Sequence, residues 1–428
     1  MERILEHFRA ITAIPRCSYH TQEMREFIRR FAIGCGFVVE EDAIGNLLCH
    51  KGEPKLCLQA HYDMVCIGEV ERIEIVEDKG VLKAKNSTLG ADNGMGMAIM
   101  FWTMERHAHL ECLFTVDEEV GLIGAMHLAL PLKASKLLNL DAEEAGEIYI
   151  GCAGGVDVIA TLPLTFEPLK STDTLYEIRA FDFQGGHSGV DIDKKIPSAI
   201  KALGYELLGQ EGLRIVALGG GERRNAIPRS AWAVVATEKS LHVKDKRLGI
   251  QPLLTSEYTH SIVESKAIIK ALGAFAQGVR EWDRNLDIPS MSINLGTLTY
   301  EQNALRIACA ARAMDDENLA ILANETDAFF HALGFEVKQE GWHGAWKPEV
   351  SIFARDVQES MQLFFPHAPF KAIHAGLECG ELIASQHKKI EAVSIGPTIR
   401  YPHSLNEECD IASVYHTASV VEAIIMKQ

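Results

Sequence analysis

At 428 residues the chain is too long for one ordinary hydrophobic core, so its length predicts two domains. Apolar residues make up 47% of the sequence, which excludes an intrinsically disordered chain. A formal charge of −17, from 59 acidic and 42 basic residues, argues against a nucleic-acid or anionic-membrane partner, because both need basic stripes.

The ten cysteines form no CxxC pair, and several lie inside apolar runs such as "KLCLQA" and "ECLFTV". This pattern predicts reduced, buried thiols rather than a disulfide framework. The first residues, "MERILEHFRAI", carry acids at helical spacing and do not resemble a secretory signal. No run of about 18 apolar residues is present to span a bilayer. We therefore expect a soluble, cytoplasmic protein.

The first third of the chain alternates short apolar runs with helical stretches. Strands are predicted at 55–60, 110–116 and 135–141, and helices at 92–107 and 121–130. Strands that alternate with helices indicate a largely parallel sheet covered on both faces.

The middle of the chain has a different pattern of apolar and polar residues. The stretch "TLYEIRAFDF" (174–183) alternates apolar and polar residues, as a half-exposed antiparallel strand does. Two strands around a Gly- and Arg-rich turn are predicted within 214–237, and helices at 261–279 and 316–334 with further strands between them. The order predicts a compact α+β module with a four-stranded antiparallel sheet and two helices.

The last part of the chain returns to the first pattern. "GWHGAWKP" (341–348) is interpreted as the return linker, and 391–397 as one more buried strand before an amphipathic closing helix. The predicted domains are therefore a discontinuous α/β domain, 1–168 with 345–428, and an inserted domain, 169–344.

Acidic residues and histidines recur where the predicted strands end. In "QAHYDMV", His61 and Asp63 lie two residues apart and so share one face of the strand. A metal-ligating imidazole usually gives its other N–H to a carboxylate, and this spacing supplies one. Alone, the pair is equally typical of an exposed histidine near an aspartate.

A Gly-flanked turn places Asp92 just ahead of a helix, in "NSTLGADNGMG". An ordinary helix N-cap is the simplest interpretation of this motif by itself.

Three consecutive acids, Asp117, Glu118 and Glu119, follow the apolar run "ECLFTV". Neighbouring side chains at a strand end must diverge, so one glutamate can bind a cation while the other handles protons. A bound divalent cation would also remove the repulsion between carboxylates at low dielectric. The alternative is a solvated turn.

Two further groups follow the same rule. Asp141 ends "KLLNLD", and His403 lies in the loop "SIGPTIRYPHSLNEE" after the last predicted strand. In open α/β sheets, ligands bind outside the carboxyl ends of the strands. We therefore expect His61, Glu119, Asp141 and His403 to converge on one edge of the sheet.

Eight motifs in the same order resemble the aminoacyl-histidine dipeptidases (Xaa-His dipeptidase, peptidase D), a family of di-zinc M20 metallopeptidases. The motifs cover both halves of the chain and are "LQAHYDMV", "STLGADNGMGMA", "FTVDEEVGLIGA", "NLDAEEAGEIYIGCAGG", "GGHSGVDI", "RRNAIPR", "HAGLECGEL" and "SIGPTIRYPHS".

The resemblance implies a zinc-peptidase-type catalytic domain, with a mostly parallel mixed sheet flanked by helices, and an inserted α+β lid domain. It also implies two Zn²⁺ ions, for which Co²⁺ or Mn²⁺ are substitutes. By resemblance the ligands are His61 and Asp141 for one ion, Glu119 and His403 for the other, and Asp92 for both.

Further roles are carried over in the same way. Asp63 is the carboxylate behind His61, Glu118 is the general base for the attacking water, and the Asp92–Asn93 peptide bond is cis. His187 in "GGHSG" is the lid donor that stabilises the oxyanion, in its own chain or in a dimer mate. Without the resemblance, "GGHSG" is typical of a tight turn.

Three substrate contacts are predicted: Asn225 as a lid contact, Arg312 on the C-terminal carboxylate, and Glu378 on the free amino group. A structural salt bridge is the alternative for Arg312 and Glu378. The resemblance implies a dipeptide substrate and a homodimer formed through the lid domain, whose closure excludes water.

The chain departs from the family in the lid, where "IACAARAMDD" and "GWHGAWKP" match poorly and residues are fewer. One alternative therefore keeps the fold and metals but cleaves N-acyl amino acids or tripeptides. A metal-free binding protein is an alternative of another class, although no proposed ligand is missing. A two-metal phosphoesterase is a third, but the sequence offers no phosphate-binding cluster.

Overall fold

The computed structural model describes residues 1–254, 257–301 and 303–428. The chain divides into two compact units. The first unit comprises Met1–Cys152, Trp346–Ala372 and Leu377–Gln428, and the second comprises Ala153–Ala345 and Ile373–Gly376. Within the described residues, none of the helices has the length and apolar character needed to cross a membrane.

The secondary structure elements are numbered in chain order. The helices are α1 Glu2–Thr12, α2 Gln22–Gly34, α3 Ala91–Met104, α4 Ile123–Met126, α5 Ala199–Leu208, α6 Ser265–Ala274, α7 Asp316–His331, α8 Ile352–Met361, α9 Cys379–Ala384 and α10 Ile411–Met426. The strands are β1 Val38–Glu41, β2 Leu47–Lys51, β3 Leu56–His61, β4 Glu74–Asp78, β5 Val81–Lys85, β6 Leu110–Thr115, β7 Lys136–Asn139, β8 Ile148–Cys152, β9 Gly154–Pro163, β10 Phe166–Pro168, β11 Thr174–Ala180, β12 Gly186–His187, β13 Arg214–Gly220, β14 Ala226–Ile227, β15 Ala231–Thr237, β16 Leu248–Pro252, β17 His260–Ile262, β18 Gly278–Asp283, β19 Ile288–Glu301, β20 Ala304–Ala313, β21 Glu336–His343, β22 Phe370–Ile373, β23 Glu391–Ser394, β24 Ile399–Arg400 and β25 Glu408–Asp410.

The first unit is built on a mixed sheet whose strand order is β1-β2-β6-β3-β7-β23-β8-β22. Its central strands β6, β3, β7 and β23 run parallel, whereas the pairs β1/β2, β2/β6 and β23/β8 are antiparallel. Every residue of β3 and β6 is buried, as expected for strands covered on both faces. The predicted α/β class is confirmed. Because the central strands are parallel, their carboxyl ends lie at one edge of the sheet.

The predicted helix at 121–130 is shorter than expected, since α4 contains only Ile123–Met126. Gly121 has φ 114° and Leu122 has φ 58°, so both lie in the left-handed region. A right-handed helix cannot begin before Ile123 in this conformation.

The second unit contains a nine-stranded sheet, in which β18 pairs with β19 and the other strands follow the order β16-β11-β15-β13-β19-β20-β9-β21. All of its described strand pairs are antiparallel. The antiparallel character agrees with the sequence, but the sheet is larger than the predicted four strands. The helices α5, α6 and α7 belong to this unit, one more than predicted.

The additional strands have identifiable causes. β16 and β18 lie at or near the edges and are mostly exposed, so they lack the apolar alternation that marks a strand. The predicted first domain includes β9 and the predicted linker overlaps the end of β21, yet β9 pairs with both β20 and β21. The second unit consequently begins at Ala153 rather than at residue 169.

The expectation of reduced thiols is wrong for one pair of cysteines. Cys17 and Cys66 form a disulfide with Cα atoms 5.5 Å apart. Their separation of 49 residues gives no sequence signal, and the pair meets because Cys17 forms a β-bridge with Met64. The other eight cysteines are free, and all of them except Cys35 are buried.

Candidate metal centre

His61 is the last residue of β3, and its side chain is buried. Its Nε2 lies 3.0 Å from Asp92 Oδ1 and 3.3 Å from Asp141 Oδ1. Its Nδ1 lies 3.4 Å from Asp63 Oδ1, so the two-residue spacing of the strand places this pair together. Each ring nitrogen of His61 therefore faces carboxylate oxygens.

Asp92 lies in the first turn of α3, after the left-handed Gly90, and is not the N-cap. The Asp92–Asn93 peptide bond is cis, as the resemblance implies. Asp92 Oδ2 lies 2.9 Å from His403 Nε2, while Asn93 Nδ2 donates a hydrogen bond to Asp141 Oδ1. A Cβ at Gly96 would lie 1.9 Å from Asn93 Oδ1, so this glycine makes room for the turn.

The three consecutive acids separate because the chain reverses at Asp117, which has φ 52°. The backbone N–H groups of Gly121 and Leu122 donate to the carbonyl of Glu118 and close the turn. Glu119 Oε2 points to His403 Nε2 at 2.9 Å. Glu118 lies in one group with His61 and Glu119, but it is not part of the group that contains His403.

The potential ligand atoms fall into three overlapping groups, and within each group the atoms lie within 4.8 Å of one another. The groups are His61 with Asp92 and Asp141, Asp92 with Glu119 and His403, and His61 with Glu118 and Glu119. The residues predicted from the strand ends are therefore brought together, and Asp92 is shared by the first two groups.

The cluster holds more negative than positive charge. Burial, reinforced by neighbouring carboxylates, raises the pKa of Glu118, Glu119 and Asp141. Burial alone would lower the pKa of His403, but its hydrogen bonds to Asp92 and Glu119 outweigh burial and raise it to about 11. Protonated imidazoles thus balance part of the negative charge, a role that a cation can take over.

The donor set suits divalent zinc. Imidazole nitrogens and carboxylate oxygens are ligands that Zn²⁺ prefers, and Co²⁺ and Mn²⁺ accept the same types. Among the described residues Glu119 Oε1 is buried and has no hydrogen-bond partner, so a lone pair there is available to a cation.

Asp63 connects the ligands to the turn that carries Glu118. It has no exposed surface, and its Oδ1 accepts a hydrogen bond from Glu118 N at 3.0 Å. Its Oδ2 accepts from Glu119 N at 3.3 Å. The carboxylate that faces His61 therefore also orients both glutamates.

Glu407 was not found from the sequence. Its carboxylate accepts hydrogen bonds from the backbone N–H groups of Leu89 at 2.8 Å, Gly90 at 3.0 Å and Ala91 at 2.8 Å. It follows His403 by four residues, so it ties the histidine loop to the segment before Asp92. In sequence, "NEE" is typical of a solvated turn, and the only available signal was its closeness to His403.

Glu378 lies beneath the strand ends and has no exposed surface. Its Oε2 accepts from Gln59 Nε2 at 2.5 Å and from Thr115 Oγ1 at 2.8 Å, and Asn139 Nδ2 donates to Gln59 Oε1 at 2.5 Å. Burial raises the pKa of Glu378 to about 7. Its Oε1 is buried and has no hydrogen-bond partner among the described residues, and the contact with a substrate amino group stays a prediction.

In the second unit, His187 ends β12, and Asn225 lies in the turn directly before the adjoining strand β14. His187 pairs with Ala226 in the β12/β14 ladder, and the carbonyl of Asn225 accepts from Ser188 N at 2.8 Å. His187 Nδ1 accepts from the backbone N–H groups of Gly189 at 3.2 Å and Val190 at 3.3 Å. The neutral ring therefore carries its proton on Nε2.

Arg312 belongs to a row of residues that crosses four strands of the second sheet. Ser292, Arg312, Gly155 and His343 are successive cross-strand partners on β19, β20, β9 and β21. A Cβ at Gly155 would lie 2.4 Å from His343 Nε2, so glycine makes space for this ring.

His374 extends the row, with Nε2 2.7 Å from Ser292 Oγ. Burial, followed by the positive charge of Arg312, lowers the pKa of His343 to about 4 and of His374 to about 3. Both imidazoles are thus neutral at pH 7. Sequence reasoning missed these two histidines because strand register cannot be read from a single chain.

Comparison with known proteins gives a consistent result. The chain is 34% identical to the cytosol non-specific dipeptidase of Escherichia coli strain K12, over 96% of this chain and 94% of that protein. Its structure is similar to the aminoacylhistidine dipeptidase of Vibrio alginolyticus, with a TM-score of 0.83, 29% identity and coverage of 99% and 96%.

A more distant likeness concerns the fold alone. The M20 family metallo-carboxypeptidase Sso-CP2 of Sulfolobus solfataricus aligns with a TM-score of 0.56 and 13% identity, over 99% of each chain. No protein-family model matches the sequence.

Proposed function

The chain belongs to the aminoacyl-histidine dipeptidase family of M20 metallopeptidases, and we propose that it hydrolyses dipeptides with two divalent cations, zinc by preference. The observation that carries this proposal is the sharing of Asp92 between two candidate ligand groups, with Glu118 beside them. The first unit is the proposed catalytic domain and the second the lid.

The proposed ligands follow the two groups. His61 and Asp141 would hold one cation, Glu119 and His403 would hold the other, and Asp92 would contact both. When bound, two such cations lower the pKa of a water molecule and polarise the peptide carbonyl.

Glu118 is the proposed general base. Its carboxylate lies in one group with His61 and Glu119, and burial with nearby carboxylates raises its pKa well above the usual range. A base with a raised pKa accepts a proton from water more readily and can later donate it to the leaving amine. Asp63 holds the Glu118 backbone and faces His61 Nδ1, so it would orient both residues.

His187 is the proposed donor to the oxyanion. The hydrogen bonds that Nδ1 accepts from Gly189 and Val190 favour the tautomer with its proton on Nε2. A fixed N–H donor of this kind stabilises the charge that develops on the carbonyl oxygen. Whether it acts on its own chain or on a dimer mate is decided by mixing inactive variants of His187 and Glu118.

Arg312 is the proposed partner of the substrate's C-terminal carboxylate, and Asn225 a second lid contact. The two imidazoles next to Arg312 are neutral, so the guanidinium is the cationic side chain of this row, and its planar fork suits a carboxylate. The lid domain is also the proposed homodimer surface, and Tyr205 and Leu208 of α5 are exposed there. A cytoplasmic location is proposed from the cytosolic relative.

A substrate panel tests the proposal. Purified protein is assayed on dipeptides, including Xaa-His sequences, on N-acetyl amino acids and on tripeptides, with Zn²⁺, Co²⁺, Mn²⁺ or EDTA. We expect cleavage of dipeptides in the presence of metal and no cleavage in EDTA. Preferential cleavage of N-acetyl amino acids or tripeptides would assign the alternative specificities. Absence of stoichiometric divalent metal after mild purification, with no turnover, would favour a binding protein.

A further inference from the structure

A short segment between α1 and α2 borders the candidate metal centre. We call residues 16–19 the strap. The carbonyl of Arg16 accepts a hydrogen bond from Met64 N at 3.0 Å, and Cys17 is bonded to Cys66. The strap is therefore joined to the chain that follows β3 by a backbone hydrogen bond and by a disulfide, besides the side-chain contacts given below.

Arg16 is 1% exposed and binds backbone rather than a carboxylate. Nη1 donates to the carbonyl of Asp63 at 2.5 Å and of Tyr62 at 3.3 Å, and Nη2 donates to the carbonyl of Gly90. Tyr62 and Asp63 directly follow His61, while Gly90 precedes Asp92 by two residues. One guanidinium thus fixes the backbone beside two candidate ligands.

Two glycines give Arg16 this position. A Cβ at Gly94 would lie 2.6 Å from Arg16 Nη2, and a Cβ at Gly90 would lie 2.7 Å from it. The Gly-rich sequence around Asp92 therefore accommodates the arginine as well as the turn.

The rest of the strap contacts the acids around Glu118. Ser18 Oγ donates to Asp63 Oδ2 at 2.7 Å, and Tyr19 N donates to Asp117 Oδ1 at 2.7 Å. Asp63 in turn accepts the backbone N–H groups of Glu118 and Glu119. Displacement of the strap would remove one hydrogen bond from each of two acids that shape the turn.

We propose that the strap is a positioning element of the metal centre, with Arg16 and Ser18 as positioning residues and the Cys17–Cys66 disulfide as its covalent anchor. This inference rests on the proposed function, since it concerns the same cations. It adds a redox dependence: activity is highest when the anchor is oxidised.

The redox step is a two-electron exchange with a dithiol reductant. The Cys17–Cys66 sulfur–sulfur bond breaks, each sulfur gains a proton, and the dithiol is released as its own disulfide. Both cysteines are half-buried, whereas every free cysteine except Cys35 is buried. A reductant in solution can therefore reach this disulfide, while most of the free thiols are shielded from an alkylating reagent.

Variants of the positioning residues test the first part. Arg16→Met and Ser18→Ala are expected to weaken Co²⁺ affinity about 10- to 100-fold and to change the visible absorption of the bound ion, as losses behind metal ligands do. Arg16→Lys keeps the charge but loses the fork, so it should recover part of the affinity. Arg214→Met, which removes a half-buried arginine of the second unit, is the matched control.

Unchanged Co²⁺ affinity and absorption in Ser18→Ala and Arg16→Lys would overturn the positioning role. These two variants also decide the matter if Arg16→Met does not fold, because Arg16→Lys keeps the charge and Ser18→Ala removes a single hydrogen bond.

Reduction tests the anchor. In a Cys35→Ser background, treatment with the phosphine TCEP should add two alkylation sites by mass, at Cys17 and Cys66, and lower kcat/KM about 3- to 10-fold. The Cys17→Ser/Cys66→Ser variant should reproduce the loss without reductant and respond no further to TCEP. Equal kcat/KM in the oxidised and reduced proteins, with both thiols alkylated, would overturn the anchor.

One measurement separates this inference from the proposed function, because it needs neither metal nor substrate. Amide hydrogen exchange at Glu118 and Glu119 should be faster in the reduced protein, since both N–H groups donate to Asp63. If the wild type binds no divalent ion, the proposed function fails, but this exchange still supports the strap when it accelerates and overturns it when it does not.

Discussion

The two units bury ionisable side chains of opposite charge. In the first unit, carboxylates surround His61 and His403, and hydrogen bonds to them raise the pKa of His403 to about 11 against the effect of burial. In the second unit, burial and the nearby Arg312 lower the pKa of His374 to about 3. The same residue type is therefore cationic in one cluster and neutral in the other.

This difference indicates what each cluster can bind. A bound cation reduces the repulsion between clustered carboxylates, whose pKa values are raised. It also supplies the positive charge that protons on the imidazoles would otherwise supply. In the second unit we propose that Arg312, beside two neutral imidazoles, binds the carboxylate of the substrate. The charge of each cluster, and not the fold around it, predicts its ligand.

The largest expected effect comes from removing the proton acceptor of the carboxylate cluster. Glu118→Gln keeps the shape but cannot take a proton from water, so kcat should fall about 1,000-fold with little change in metal content. Steady-state kinetics and metal analysis measure both quantities, and Glu71→Gln, on an exposed glutamate of the same unit, is the control. Retention of more than a tenth of kcat would exclude Glu118 as the base.

Metal removal should lower the free energy of unfolding, because the carboxylate cluster is the proposed metal site. A ligand present at about 100 times its Kd stabilises the folded state by about 2.7 kcal/mol per site, so EDTA should lower the free energy of unfolding by at least this amount. Asp92→Asn, which weakens the carboxylate shared by two groups, should lose most of the metal-dependent increment. Denaturant unfolding with and without Zn²⁺ measures this gain in the free energy of unfolding, and Asp78→Asn, at an exposed aspartate, is the control. An equal gain in Asp92→Asn and Asp78→Asn would contradict a bridging role for Asp92.

The effect of an Arg312 substitution on KM tests whether the cluster of the second unit binds the substrate carboxylate. Arg312→Met should raise KM for a dipeptide about 100-fold, or about 2.7 kcal/mol, with a smaller change in kcat, because the lost contact is to the substrate carboxylate. A dipeptide amide, which lacks that carboxylate, should be insensitive to the substitution. Arg306→Met, on the same strand but in an exposed pair with Glu340, is the control. An equal loss with both substrates would rule out carboxylate recognition.

The smallest expected effect concerns acid stability. His374 has a folded pKa of about 3 against 6.5 for the ordinary group, so the unfolded state binds more protons between these values. Stability should therefore fall as the pH falls below about 6.5, by about 2 kcal/mol between pH 7 and pH 5.

His374→Gln should lose that part of the acid dependence, whereas the exposed His242→Gln should follow the wild type. Unfolding free energies at the two pH values measure the difference. Parallel curves for wild type and His374→Gln would show that this imidazole is not held neutral.

The carboxylate cluster was largely predictable from the sequence, whereas the arginine cluster was not. His61 ends one apolar strand and Asp141 follows another, and in a parallel sheet such positions lie at one edge. The row through Arg312 depends on antiparallel register and on the missing side chain of Gly155, and neither is expressed in local pattern.

Long-range contacts account for the other omissions. Glu407 reaches Leu89 across 318 residues, and Arg16 reaches Gly90 across 74. These contacts join one loop to another through backbone groups. Because every residue type supplies the same backbone groups, such contacts leave no pattern in the sequence. The edge strands β16 and β18 were missed for a related reason, since exposed strands lack the apolar face that sequence reasoning detects.

Glu407 accepts hydrogen bonds from four consecutive backbone N–H groups, those of Leu89, Gly90, Ala91 and Asp92, and this has a consequence for engineering. Because Glu407 and His403 share one loop, and the amides belong to the segment that leads into Asp92, neither segment is an independent module. A chimaera that exchanges only one of the two segments would leave the buried Glu407 carboxylate without hydrogen-bond donors, or the backbone N–H groups without an acceptor. A chimaera between relatives should therefore exchange both segments together.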